Sequence, residues 1–402
     1  MKVLYTALLA GALSFAGVHS LDTPAGPESG MPFLATGPDG AIYLSWIDPV
    51  PGQGHALRFS KWAGKEWAPA ETIATGKNWF VNWADFPAIA ALPDGSMLAH
   101  WLTRSADGGA HGYGIRIAMK QKSTSTWREV HGMSLDEKED YAGFLSFVPN
   151  SASAIYLSPP AGTATESHGH DSAGEGSHRK TVRYVSFRSD GSVAKDLEVD
   201  TDACSCCQTA IGVTRDGLIA AYRDHLPGEI RDISFIRLVD GVWSKPKTLH
   251  EDGWKINGCP TEGPSIATNG NHVGVAWMTR AADKPRVQTS LSQDGGKTFD
   301  DPIRIDDGDP LGRPSLAILD NQNYAAVWLE KTEFGRAQLR IRRIAFDGTK
   351  SPSLIVSEVP SARSTGFPKL AVTGNQILLA WRDGQVRTAF ISKDQLVVKD
   401  SK

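Results

Sequence analysis

Four cysteines crowd into two places, Cys204-Ser-Cys-Cys207 and Cys259. Thiolates bind soft ions, exchange disulfides or attack electrophiles, so this crowding is the first chemistry to explain. An even count suggests two disulfides. Geometry resists that: once Cys259 takes one partner, the remaining two are adjacent or one residue apart, against a usual Cα separation of about 5.5–6 Å. Three outcomes stay open: one strained disulfide with two free thiols, a metal site, or a redox thiol centre. As ligands, Cys204, Cys206, Cys207 and Cys259 with His225 suit copper as Cu(I), or zinc. The C-x-C-C spacing matches no common zinc motif. The stretch His168-Gly-His-Asp-Ser-Ala-Gly-Glu-Gly-Ser-His178 reads as a weak metal binder or as a solvated loop.

Charged residues surround the thiols in sequence. Arg223, Arg231, Arg313 and Arg363 are candidates for gripping an acidic ligand, with Gln208 beside the cysteines as a further ligand contact. Arg223-Asp224 and Arg231-Asp232 read equally well as reciprocal ion pairs that fix their loop. Asp224 and Glu262 are candidate general acid/base groups, because a carboxyl near a dry mouth has a raised pKa.

What positions these residues is a repeat. Met31-Pro-Phe-Leu-Ala-Thr36, Phe86-Pro-Ala-Ile-Ala-Ala91, Gly263-Pro-Ser-Ile-Ala-Thr268, Arg313-Pro-Ser-Leu-Ala-Ile318 and Phe367-Pro-Lys-Leu-Ala-Val372 are versions of one segment. Gly143-Phe-Leu145 and Thr209-Ala-Ile211 fill the same slot without the proline. A second strand follows each, as in Tyr43-Leu-Ser-Trp46, Ile219-Ala-Ala-Tyr222 and Val273-Gly-Val-Ala-Trp277, after turns such as Pro38-Asp-Gly40. A period of about fifty residues built from short strands predicts an all-β propeller of four-stranded antiparallel blades, seven preferred over six. The tryptophans read as wedges between blades.

Strand parity then sorts the loops. Turns between strands one and two, and three and four, share one face of the ring. Turns between two and three, and the connections between blades, share the other. The second face gathers Trp79–Asp85, Cys204–Thr209, Arg223–Asp232, Asn257–Pro264 and Asp306–Arg313. Ser292-Gln-Asp-Gly-Gly-Lys-Thr-Phe299 falls on the first.

The remaining composition is ordinary. The 402 residues carry a formal net charge of -3, which gives no basic surface for nucleic acid. Beyond the first twenty residues no apolar run approaches the ~20 needed for a membrane span. Met1-Lys2, the uncharged Leu4–Val18 run and small Val18 and Ser20 predict a signal peptide over 1–20. Residues 21–402 are then one domain, exported to the periplasm or secreted.

The octapeptide Ser292–Phe299 matches the Asp box S-x-D-G-G-x-T-[WF]. Together with the repeat it resembles the sialidase (BNR-repeat) propeller superfamily over essentially the whole mature chain. Cys204-Ser-Cys-Cys-Gln-Thr-Ala210, Tyr222-Arg-Asp224, Ile230-Arg-Asp-Ile233, Asp252–Pro260, Gly263-Pro264 and Pro310-Leu-Gly-Arg313 resemble a group of bacterial exported sialidase-like proteins. The resemblance implies a central mouth that binds a small-molecule or carbohydrate ligand, and a glycoside hydrolase acting on acidic sugars. The alternatives are a thiolate metal protein without glycosidase activity and a scaffold for a protein partner. Sialidases use an arginine triad and a tyrosine nucleophile. Here Met31-Pro32-Phe33 stands where Arg-Ile-Pro is expected, and Tyr324 falls at a strand start. Such likeness carries fold further than function.

Overall fold

The computed structural model describes residues 17–105, 112–124, 126–130, 141–160 and 179–396. The His-rich stretch 168–178 and most of the leader expected over 1–20 lie outside them. Seven antiparallel sheets form a ring, with no α-helix among the described residues. No described helix is long and apolar enough to cross a membrane.

The innermost strands are Gly30–Thr36, Ala88–Ala91, Gly143–Phe147, Ala210–Thr214, Ser265–Asn269, Pro310–Ile318 and Lys369–Thr373. These are the repeat segments read from sequence. The second strands are apolar without alternation because neighbouring sheets cover both of their faces. His272–Thr279 and Asn323–Lys331 show this, with burial along nearly their whole length. Trp46, Trp277 and Trp328 are fully buried wedges, as expected.

Two blades depart from the simple pattern. In the fourth, the outer edge is split into Val242–Trp243 and Lys247–Thr248, both paired to Ile233–Val239. In the seventh, the outer strand comes from the other end of the chain: His19–Leu21 pairs with Gln385–Ser392 in the register His19–Phe390, Ser20–Ala389 and Leu21–Thr388, so His19 and Ser20, counted in the expected leader, are part of the folded ring. The ring is thereby fastened by hydrogen bonds between the two ends, which gives the seventh blade its fourth strand.

Parity holds in the coordinates. Gly295 of the Asp-box turn donates to Asn271, in the turn between the first two strands of the same blade. The Asp-box face and the cysteine face are therefore opposite rims of the ring.

Candidate functional site

The connection between the third and fourth blades folds back on itself directly after the long strand Val193–Cys204. This brings three sulfurs together. Cys204 Sγ lies 3.9 Å from Cys206 Sγ and 3.7 Å from Cys207 Sγ. All three ligand atoms fall within 4.8 Å of one another, and all three residues are buried. Cys259, on the connection into the fifth blade, faces Cys206 from the exposed side. The sulfurs of two neighbouring blade connections thus meet on one rim, and all four cysteines are free thiols.

The cluster has an internal order. Hydrogen bonds from Cys206 and Cys207 lower the Cys204 thiol, and Arg231 adds its charge. Cys206 is raised because it donates to Cys204, and burial raises Cys207. Hydrogen bonding from Cys206 lowers Cys259.

Arg231 and Arg223 bring positive charge to this site. The Arg231 side chain is wholly buried, and Nη2 binds Glu229 Oε2 at 2.5 Å. Its Nε and Nη1 find no partner among the described residues. Buried donors without acceptors are costly, and Arg313 Nε on the same rim shares that state.

The other arginines are already engaged. Arg223 donates to the carbonyls of Glu262 (2.6 Å), Arg231 (2.5 Å) and Met278 (2.7 Å), and stacks on Trp254. Arg313 donates to Ala362 and Gly366 carbonyls and stacks on Trp83. Arg363 is exposed beside it. The reciprocal pairs Arg223-Asp224 and Arg231-Asp232 do not form. Asp224 instead accepts from Ser234 Oγ and the His225 amide, while Asp232 accepts from the Gly253 and Trp254 amides. The reason is that each carboxylate meets nearer backbone donors on the folded loop than the arginine next to it in sequence.

His225 is not brought to the sulfurs through a free nitrogen. Its Nδ1 is 2.8 Å from Asp202 and its Nε2 3.3 Å from Glu229. Gln208 is a stitch: Nε2 donates to Ala84 O at 2.5 Å and Oε1 accepts from Gly263 N at 2.8 Å, joining three connections. Glu262 is buried and accepts from Arg313 N at 2.8 Å. Burial pushes its carboxyl up to about 7, with Arg313 opposing. Burial likewise raises Asp224 to about 6.

Several groups went unnoticed in the sequence. Asp85 is fully buried, accepts from Phe144 N at 2.8 Å and Tyr113 Oη at 3.2 Å, and is pushed up to about 7 by burial. Tyr141 stacks on Tyr113 and its hydroxyl donates to the Ser205 carbonyl inside the cysteine turn. Lys369 lies over Phe86 at 4.1 Å, with Phe33 and Phe367 at 5.7 Å, and burial lowers its amine to about 7. The signal for Asp85 was its place at the end of the Trp79–Asp85 connection. Lys369 carried none, since Phe367-Pro-Lys369 reads as one more copy of the repeat. A cleft of about 320 Å³ opens beside the axis between the first and seventh blades, lined by residues that include Glu28, Met31, His55, Trp83 and Arg382.

No protein-family model matches the chain, and no curated protein does. Solved structures do. The chain is similar to a protein of unknown function from Dyadobacter fermentans, with 14% identity, 94% of this chain and 99% of that one covered, and TM-score 0.53. It is similar to an α-L-arabinofuranosidase from Fusarium graminearum bound to an iminosugar inhibitor, with 13% identity, 95% and 99% covered, and TM-score 0.51. An ulvan lyase bound to a GlcA(1-4)Rha3S unit matches with 12% identity, 96% of each chain covered and TM-score 0.52. Sialidases are also among the matches. At these identities the likeness is one of fold.

Proposed function

We propose that this protein binds a soft metal ion, Cu(I) in the first place, through Cys204, Cys206 and Cys207. The spacing of the sulfurs carries the reading. A metal–sulfur bond of about 2.3 Å sets sulfurs about 3.8 Å apart in a tetrahedron and about 4.0 Å apart in a planar triangle. The separations from Cys204 are 3.7 and 3.9 Å. Three buried thiolates without a fourth buried ligand favour Cu(I) over zinc, whose structural sites are four-coordinate. The unpaired N–H groups of Arg231 supply the positive charge that a metal–tristhiolate, itself an anion, requires. The reading includes export, resting on the pattern of residues 1–20.

The test is anaerobic titration of reduced full-length protein with Cu(I), read by competition with a chromophoric chelator and by X-ray absorption. One equivalent bound in an all-sulfur shell is expected. Cys204→Ser and Cys207→Ser should each weaken binding by about 100-fold. A native protein that shows no free thiols on titration and takes up no Cu(I) would replace this reading with a disulfide one.

A second reading is a carbohydrate ligand in the cleft lined by His55, Trp83 and Arg382, with glycoside hydrolysis of an acidic sugar as its finer form. It is supported by the sialidase-like motifs and by the sugar-acting propellers of similar fold. Arg223, Arg313 and Arg382 all donate to backbone carbonyls, and the acid clamp would fall to Arg382 because it is the one of the three that lines the cleft. A panel of sialosides and uronides, followed by sugar release and by thermal shift, tests it. No release and no shift removes it.

A further inference from the structure

The four thiols are unequal in a way that points beyond storage of an ion. Cys204, Cys206 and Cys207 are at most 7% exposed, whereas Cys259 is exposed. Among the three buried sulfurs, Cys206 is the one that hydrogen-bonds to Cys259. Cys206 is also the most accessible of the three. Cys259 sits on a span tied at both ends: the Ile256 amide donates to Glu229 and the Gly263 amide to Gln208. Between them, no backbone N–H of residues 257–261 has a partner among the described residues. A span without ladder bonds opens at low cost.

We propose that Cys259 is the exchange thiol of this site, through which Cu(I) passes between the buried tristhiolate and a thiol-bearing donor or acceptor molecule. The inference rests on the metal reading above and deepens it. In the outward step a Cu–S bond to Cys259 forms as the Cu–S bond to Cys206 breaks. The proton lost by the Cys259 thiol goes to Cys206, and the copper stays Cu(I), so no oxidant or reductant is needed. Incoming thiols then replace Cys204 and Cys207 and finally Cys259, one Cu–S bond forming as each one breaks, and each departing cysteine thiolate takes up the proton of the thiol that replaces it. Ligand exchange of this kind is limited by access, and Cys259 is the exposed one of the four thiols.

The experiment is stopped-flow transfer with the reduced full chain. Cu(I)–glutathione serves as donor and bicinchoninate as acceptor, and wild type is compared with Cys259→Ser and Cys259→Ala. Loading and removal should both slow, by about tenfold or more, because a shared doorway is lost. Faster removal with unchanged loading would make Cys259 an ordinary fourth ligand and overturn the inference. Unchanged rates in both directions would overturn it as well, with the metal reading intact. A wild-type protein that takes no Cu(I) from glutathione at all fails the metal reading itself. Circular dichroism of each variant separates these outcomes from misfolding.

Discussion

Two turns of this propeller are both held by side-chain hydrogen bonds, but from opposite sources. The Asp-box turn Ser292–Phe299 is satisfied from within. Asp294 accepts from Lys297 N, Thr298 N, Thr298 Oγ1 and Ser292 Oγ, all at most four residues away. Gly295 and Gly296 take φ of 76° and 78° to let it close. The cysteine turn is satisfied from afar. Gln208 reaches residues 124 and 55 positions away, Ser205 O accepts from Tyr141, and Thr209 Oγ1 donates to Phe144 O. The first turn is a self-contained piece of fold. The second exists only because five blades have assembled around it, and that is where the ligand groups are.

The comparison breaks most violently at Gly263. A Cβ there would lie 2.1 Å from Gln208 O and 2.5 Å from Gln208 N, both backbone atoms that cannot step aside. Gly263→Ala should destabilise the ring by about 3 kcal/mol or more and abolish copper binding, as read by urea unfolding and Cu(I) titration. Next comes the stitch. Gln208→Ala leaves Ala84 O and Gly263 N buried without partners and should cost about 2–4 kcal/mol. If Gln208→Ala leaves both the urea midpoint and the copper affinity unchanged, the mouth is not held by distant contacts and the contrast fails.

The two regions also predict opposite pH slopes. Glu262 has a folded pKa near 7, above the ordinary value of 4.5. A raised carboxyl favours the folded state while both states are protonated, so that stability is present at acid pH and lost as pH rises through 7. Glu262→Gln should remove this loss, of the order of 3 kcal/mol between about pH 4.5 and 7. Burial is the largest single influence on Asp294 and raises it, yet the hydrogen bonds from Thr298, Ser292 and Lys297 together outweigh it and hold the carboxyl down to about 2. Its contribution is present above the ordinary carboxylate range and lost as pH falls through 2. The smallest effect belongs to Asp294→Asn, which should cost about 1 kcal/mol, flatten only the acid limb of the unfolding profile, and leave Cu(I) affinity at the wild-type value. A change in copper affinity there would show that the two rims are coupled.

The architecture was legible because it is written in short range. Strand starts such as Gly143, Ala210 and Ser265 fall where the repeat puts them, since alternation, turn glycines and buried tryptophans act over a few residues. The site was half legible. Parity alone put Cys259 on the rim of Cys204–Cys207, and the structure has it facing Cys206. The neighbours in sequence misled. Arg223 beside Asp224 looked like an ion pair, yet three carbonyls from other segments hold the arginine. His225 looked like a ligand, yet Asp202 and Glu229 occupy both of its nitrogens.

The sequence by itself determined a repeat of small four-stranded sheets, with seven preferred over six, the rim on which each loop emerges, and the presence of thiols on one rim. These follow from chain direction and burial, which are properties of local order. Tertiary structure alone decided the sulfur spacings, the loneliness of two Arg231 donors, and the division into three hidden thiols and one open thiol. Those depend on where the fourth strand of one blade ends relative to the first of the next, a matter of ångströms set by the closing of the whole ring.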